Sequence, residues 1–332
     1  AEPAAWADVL GVLEEEIGDP DEVFEQIDTH PMASASLGQV HAAIWKGQEV
    51  AVKVQYLGVA ETLASDLDDD GFVRQLFGIE SGQGMEGGTE ALRQVLAREI
   101  DYRQEAEAQR RFQAAFSDDD ALWIPGVVEE CSSARVLTTE RVNGRSLMAV
   151  VRDGDQQERN RIGGALLHFH FASVVRHGLV NADPNPGNVL VPDQGPPAFI
   201  DFGAWLELEP ELLEHERRLW KGLLMNDQVR GVVQFRTALV ESGLASAAEM
   251  GSANQAEWER LLAQPIQAQG GFQWSPEYAE RLVDSTSRML RLGGLQVGSQ
   301  LSVLWRARLG IVSLLGALRA EIDARAALEP LL

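Results

Sequence analysis

Several polar side chains have the type and spacing needed to handle phosphate groups and a divalent cation. Lys53 stands inside the apolar run Val50-Ala-Val-Lys-Val-Gln55, where an unpaired ammonium costs several kcal/mol, so it calls for phosphate oxygens and a carboxylate partner. Glu99, in Arg98-Glu-Ile-Asp-Tyr-Arg-Gln-Glu105, is the candidate partner. On a helix Glu99 and Asp101 lie about 200° apart and cannot serve one point, whereas Asp101 and Glu105 are i,i+4 neighbours. Asp183 and Asn188 are five apart in Asp183-Pro-Asn-Pro-Gly-Asn188, and Asp201 follows in Asp201-Phe-Gly203. A carboxylate at 183 can orient a hydroxyl and take its proton. An amide oxygen at 188 and a carboxylate at 201 are the hard ligands that Mg²⁺ prefers.

A polyphosphate also needs inward-pointing backbone N–H groups on a chain with little side-chain bulk. The segment Ala33, Ser34, Ala35, Ser36, Leu37, Gly38, Gln39 and Val40 fits this need, with Lys53 lying 15 residues after Gly38. Against the kinase pattern G-x-G-x-x-G-x-V it keeps the third glycine and the valine, as Gly38 and Val40. Ala33 and Ala35 replace the first two glycines, which predicts a stiffer loop than a glycine flap. Val50 to Lys53 is close to the kinase V-A-I-K, and Asp183 with Asn188 keeps the spacing of H-R-D-x-x-x-x-N. Ala51 on the lysine strand and Glu140 and Val142 in Leu137-Thr-Thr-Glu-Arg-Val142 complete the expected nucleotide-facing set. Together they point to ATP and Mg²⁺.

The elements that must position these residues can be read from periodicity and punctuation. Helical composition runs from Ala5 to Glu16 and Asp21 to Ile27, broken at Asp19-Pro-Asp21. Strands are predicted over Val40 to Trp45 and Glu49 to Gln55 about a turn at Lys46-Gly-Gln48. Helical patterning follows over Ala60 to Phe77 and Thr89 to Phe116, around a glycine-rich linker from Gly78 to Gly88. A second strand pair is expected at Val127 to Cys131 and Ala134 to Glu140. Next come a long helix from Gln156 to His177, short strands at Val189 to Val191 and Ala198 to Ile200, and helices beyond Glu209. The expected architecture is α+β and bilobal, with a small β-rich N-lobe and a mostly helical C-lobe. Its divisions are a helical segment over 1–30, an N-lobe over 31–142 and a C-lobe over 143–332 carrying Asp183 and Asp201.

Composition narrows the partners. The chain has 332 residues, 45% hydrophobic and 24% charged, which is enough for a substantial core. Its formal charge of −23 argues against a nucleic acid, which needs a cationic face. A single cysteine, Cys131, excludes an intramolecular disulfide framework and favours a reducing compartment, the cytoplasm by default. No uninterrupted apolar run reaches the ~18 residues of a spanning helix; the best stretch, Leu309 to Leu318, reads as a buried or amphipathic helix. The first residue is Ala1 and not Met, so a segment upstream is expected.

The combination resembles the UbiB/ADCK-type atypical kinase-like family, which includes the kinase-like proteins of ubiquinone biosynthesis. The matching pieces are Ala33 to Val40 with Gly-Gln-Val-His, the strand ending Lys53-Val-Gln-Tyr56, Glu99-Ile-Asp101 with Glu105-Ala106, Asp183 to Asn188, and Asp201-Phe-Gly203. They span roughly residues 20 to 205. The resemblance implies a kinase-like fold, a Lys53–Glu99 ion pair, Asp183 as catalytic base, and Asn188 with Asp201 on Mg²⁺. It also implies ATP turnover in support of quinone or prenyl-lipid metabolism, a prenyl-lipid or quinone-precursor ligand, and peripheral contact with a membrane. Asn181-Ala182 replaces the His-Arg of ordinary kinases, and little chain separates Gly203 from the next helix. The family's Lys-x-Gly-Gln motif has no counterpart ahead of Ala33. Two alternatives stay open: a small-molecule phosphotransferase of the aminoglycoside or choline kinase type, and an ATP-sensing pseudokinase scaffold.

Overall fold

The computed structural model describes residues 3–35, 37–59, 100–245, 251–295 and 298–332. Glu99, Ser36 and the linker from Gly78 to Gly88 lie outside the described residues. The chain divides into two compact units, one made of the described residues through Gly144 together with Leu190–Ala204, the other of Arg145–Val189 and Trp205–Leu332.

The first unit is an antiparallel sheet with a helix against it. Helix α1 (Trp6–Ile17) and the turn of helix α2 (Pro20–Val23) lead into β1 (Gln26–Ile27), β2 (Ala33–Ser34), β3 (Gly38–Trp45), β4 (Gln48–Gln55) and, after α3 (Tyr102–Ala115), β5 (Val136–Glu140). The order is β1-β3-β4-β5, with β2 also on β3. On β4 the side chains alternate, as a pleated strand requires. Val50, Val52 and Val54 are 1%, 0% and 0% exposed and pack with Val9, Val12 and Leu13, an i, i+3, i+4 stripe of α1; each such burial contributes about 1.5–3 kcal/mol. Ala51 and Lys53 therefore take the opposite face. Register places Val40 and Leu137 beside Lys53, and Thr139 beside Ala51, on that face.

Two expectations fail here. Gln26–Ile27 is a strand on β3, not the end of a helix, because the helix begun at Pro20 stops within one turn. Glu129–Cys131 is a 3₁₀ turn; of that expected strand only an isolated bridge, Val127 to Thr139, remains.

Leu190–Ala204 carries Asp201 and groups with this first unit, although the sequence expectation placed it in the C-lobe. Its strand Ala198–Phe199 is bridged to Trp123. The Phe202 ring lies 4.9 Å from Phe112 of α3.

The second unit is largely helical. It comprises α4 (Leu147–Asp153), α5 (Gln156–His177), β6 (Leu179–Asn181), β7 (Trp205–Glu207), α6 (Pro210–Leu224), α7 (Gln228–Glu241), α8 (Ala253–Gln267), β8 (Phe272–Gln273), α9 (Pro276–Arg291), α10 (Ser299–Leu318), β9 (Glu321–Ile322) and α11 (Ala324–Leu328). Helix α5 matches its predicted bounds because both ends are signalled. Asp155 accepts from the Glu158 N–H, and Gly178 closes the helix in the left-handed region at φ 68°. The β8–β9 pair was not foreseen, since two-residue strands leave no period to read.

Helix α10 corrects the reading of apolar runs. Gln300–Leu318 is long and apolar enough to cross a membrane by length and composition. The sequence reading missed it because Ser302, Arg306, Arg308 and Ser313 interrupt the run. The hydropathy arises from core packing: 61% of that stretch is buried, and Arg308 donates to the buried Glu216 at 2.8 Å.

Candidate functional site

In the first unit Lys53 meets two carboxylates. Its Nζ donates to both Glu105 oxygens at 2.9 Å and to Asp201 Oδ2 at 3.4 Å. It also lies 5.0 Å from the centroid of the Tyr102 ring, within cation–π range. The Lys53 and Glu105 side chains are 15% and 2% exposed, and Asp201 is 28% exposed. Asp201 Oδ1 accepts the Gly203 N–H at 3.1 Å, which fixes one oxygen and turns the other toward Lys53.

The sequence expectation gave the lysine's partner as Glu99, which lies outside the described residues; the carboxylate on Lys53 is Glu105. A signal for it was present. Asp101 caps α3, accepting the Arg103 N–H at 3.0 Å. The helix then buries Tyr102, Glu105, Ala106, Gln109 and Phe112, a stripe at helical spacing. Glu105 is the carboxylate on that stripe.

Electrostatics at this cluster are unbalanced, with one ammonium facing two carboxylates. Burial opposes the charge of Lys53 more than any other single influence, yet Asp201 and Glu105 together outweigh it and hold its pKa well above the ordinary lysine value. Burial, with Asp201 adding to it, pushes Glu105 up to about 6 against the attraction of Lys53. The excess negative charge suits a cation, and the oxygen donors are of the hard kind that Mg²⁺ takes. Among the described residues no group of three or more His, Cys, Asp or Glu side chains could hold a metal by itself.

The loop of small residues is the β2–β3 hairpin. Ala33 pairs with Val40 and Ser34 with Gln39, and the Ala35 N–H donates to Gly38 O at 2.8 Å. Ser36 lies outside the described residues, and Leu37 accepts the Tyr56 N–H at 3.0 Å. Gly38 is required by crowding: a Cβ there would stand 2.2 Å from Val54 O and 3.0 Å from Tyr102 Oη. Gly38→Ala is therefore expected to destabilise the protein by at least ~2 kcal/mol, read as a lower urea midpoint at unchanged m-value. Gln39 projects to the other face, where its amide brackets the backbone of Ala4, accepting the N–H at 2.8 Å and donating to the carbonyl at 3.4 Å. Its side chain thus clamps the N-terminal segment, and its place in the nucleotide-facing set can only be through the backbone. Val40 shares the Lys53 face.

At the predicted hinge, the Glu140 N–H is engaged with Gly126 O at 2.8 Å, and its carboxylate accepts the Gly126 N–H at 2.7 Å. That amide is committed within the fold. Val142 follows and is 5% exposed.

In the second unit Asp183 and Asn188 are joined directly. Asn188 Nδ2 donates to Asp183 Oδ2 at 2.9 Å, which leaves the amide oxygen as the other polar end of that side chain. The loop is wound by short bonds: Asn181 Oδ1 accepts the Asp183 N–H at 3.1 Å, and Asn185 Oδ1 accepts the Gly187 N–H at 2.8 Å. It leaves β6, which pairs with β7 through Asn181 and Trp205. From below, α10 holds it: Arg306 Nη2 donates to Ala182 O at 3.1 Å. A Cβ at Gly310 would stand 2.1 Å from Pro184 Cγ, so helix and loop touch where only glycine fits.

The chain is 38% identical over 190 residues to the atypical kinase coq-8, mitochondrial, of Caenorhabditis elegans, covering 55% of this chain and 25% of that protein. It is 31% identical over 288 residues to the atypical kinase COQ8B, mitochondrial, of Rattus norvegicus, covering 85% and 54%. The chain thus spans between a quarter and about half the length of these relatives. Among solved structures, Rv3197 of Mycobacterium tuberculosis in complex with erythromycin superposes with a TM-score of 0.78 at 28% identity, covering 100% of this chain and 84% of that one. The expected α+β kinase-like fold is thereby borne out. The pattern of the ABC1 atypical kinase-like domain matches residues 1–235, a stretch containing every polar group described above from Lys53 to Asp201, and the chain belongs to that family.

Proposed function

We propose that this chain is an Mg²⁺-dependent ATP-binding phosphotransferase or ATPase that supports quinone or prenyl-lipid metabolism. The observation that carries the reading is Lys53, held by Glu105 at 2.9 Å with Asp201 at 3.4 Å on the face of the sheet away from the core. A structural ion pair would need one carboxylate. The second, partly exposed carboxylate leaves a site that a cation would complete. In this reading Lys53 holds phosphate oxygens, Asp201 and Asn188 hold Mg²⁺, and Asp183 accepts the proton of the attacking hydroxyl or water. Ala33 to Val40, Ala51, Glu140 and Val142 form the nucleotide-facing surface, with Glu140 limited to its carbonyl. Bound Mg²⁺ neutralises phosphate charge as it develops. The lipid branch of the proposal rests on the resemblance to the kinase-like proteins of ubiquinone biosynthesis, and the atypical-kinase branch on the coq-8 and COQ8B relatives.

The test is ADP release and thermal shift with ATP, with and without Mg²⁺ and quinone-precursor lipid. A rise in Tm together with Mg²⁺-dependent ADP formation is expected, and Asp183→Asn keeps the first while losing most of the second. Absence of both the Tm rise and ADP formation sinks the proposal. A shift without turnover under any lipid condition selects the nucleotide-sensing scaffold. The Rv3197 neighbour, solved with erythromycin, gives the small-molecule branch its own probe. Phosphate transfer from ATP onto erythromycin or an aminoglycoside would move the assignment there.

A further inference from the structure

The second unit contains a cavity unconnected with the polar groups assigned above. It is lined by residues of α5, α6, α8, α9, α10 and α11, and its wall includes Leu167, Leu262, Ile266, Tyr278, Ile311 and Val312. The cavity volume is ≈ 40 Å³, room for about three waters at ~10–15 Å³ each.

What sets this cavity apart is the polar chemistry in an otherwise hydrocarbon wall. Arg308 lies in it at 3% exposure and donates through Nη2 to Glu216, leaving Nε and Nη1 without a hydrogen-bond partner among the described residues. Among the described residues His170, 4% exposed, has no partner for Nε2, and Trp274, also 4% exposed, has none for its indole N–H. Both line the same cavity. Buried polar atoms left without a hydrogen bond are costly, and several around one cavity call for a common explanation. Glu216 already neutralises Arg308, and burial followed by the nearby guanidinium pushes His170 down to about 3, so it carries no charge. The wall therefore offers hydrogen bonds without net charge, with the Trp305 and Trp220 rings 4.6 and 4.9 Å from the guanidinium carbon.

We propose that this cavity is a binding site for a small, uncharged, largely apolar molecule carrying one oxygen acceptor, a carbonyl or ether, directed at Arg308, His170 and Trp274. The position of the site gives it a route to the Asp183 loop. Helix α10 presents Arg308, Ile311 and Val312 to the cavity, while Arg306 and Gly310 of the same helix hold Ala182 and Pro184. An occupant that shifts α10 must shift the loop, because the Gly310–Pro184 contact leaves no slack. This second half concerns the loop's position and rests on the proposed role of Asp183 only for its consequence in turnover.

The experiment uses acetone and isobutene, which match in shape but differ by C=O against C=CH₂ and whose four heavy atoms suit a space of about three waters. In ¹H–¹⁵N spectra of the full chain, acetone is expected to move the indole resonance of Trp274 and the amide of Gly187, and to bind about tenfold more tightly than isobutene. Filling the cavity with Leu262→Phe, or with Ile266→Phe should the first fail to fold, is expected to abolish binding while the remaining spectrum is kept. Equal affinity for both probes removes the acceptor role, and no binding by either removes the site. Binding retained in a folded, filled variant places the ligand elsewhere. Binding that leaves the Gly187 amide unmoved removes the link to the loop. Each readout is independent of ATP turnover, so failure here is distinguishable from failure of the proposed activity.

Discussion

Asp201→Asn is expected to lower ATP turnover by ~10²–10³-fold while leaving the fold intact. The substitution keeps the shape of the side chain and one oxygen, which continues to accept from the Gly203 N–H. It removes the charge, and with it the oxygen that Lys53 shares and that a cation would take. Stability should hardly change, because the cluster passes from two carboxylates on one ammonium to one, with Glu105 still bound at 2.9 Å. Losing Asp201 also relieves part of what raises Glu105. The check is ADP release across a Mg²⁺ titration, with urea denaturation run beside it. Turnover within about twofold of wild type at saturating Mg²⁺ would be less than 0.5 kcal/mol of barrier and would contradict the assignment of Asp201 to the cation.

The polar groups were legible before any coordinates because each sits in a short, locally determined element. Asp183 to Asn188 winds its own turn through Asn181 and Asn185, and Lys53 inherits its direction from the alternation of Val50, Val52 and Val54. Helix α5 was equally legible, since both its cap residues are in the sequence. The partner of Lys53 was harder. Which of several acids on one segment reaches a distant strand depends on where the helix begins, and that follows from a single cap at Asp101. Gln39 shows a second limit. Small-residue loops suggest phosphate, but the facing of each side chain follows from strand register, and register turned Gln39 to Ala4. The cavity beneath α10 could not have been read at all, because it is assembled from residues between Leu167 and Leu328 with no common spacing.

Glu105 supplies the sharpest contrast between stability and activity. Its carboxyl is held up at about 6, against 4.5 for the free group. Between those values the folded chain keeps a proton that the unfolded chain has released, so this group's contribution to stability falls as pH rises through the window. Above pH 6 its ionised form is less favourable in the folded chain than an unperturbed carboxylate would be. Glu105→Gln removes that cost together with the pairing to Lys53, so at neutral pH the variant should lie within about 1 kcal/mol of wild type. Wild type should lose stability relative to the variant as the pH of a urea series is raised from 4.5 to 6. Turnover should behave in the opposite sense, falling ~10²-fold or more, because Lys53 loses the partner that sets its position for phosphate. Glu99→Gln serves as the companion variant that separates the two candidate partners of Lys53. If Glu99→Gln abolishes ADP formation while Glu105→Gln retains it, the lysine's working partner is Glu99 and the 2.9 Å contact is only structural. A residue whose charge is unfavourable for folding and indispensable for turnover is what a functional carboxylate should look like.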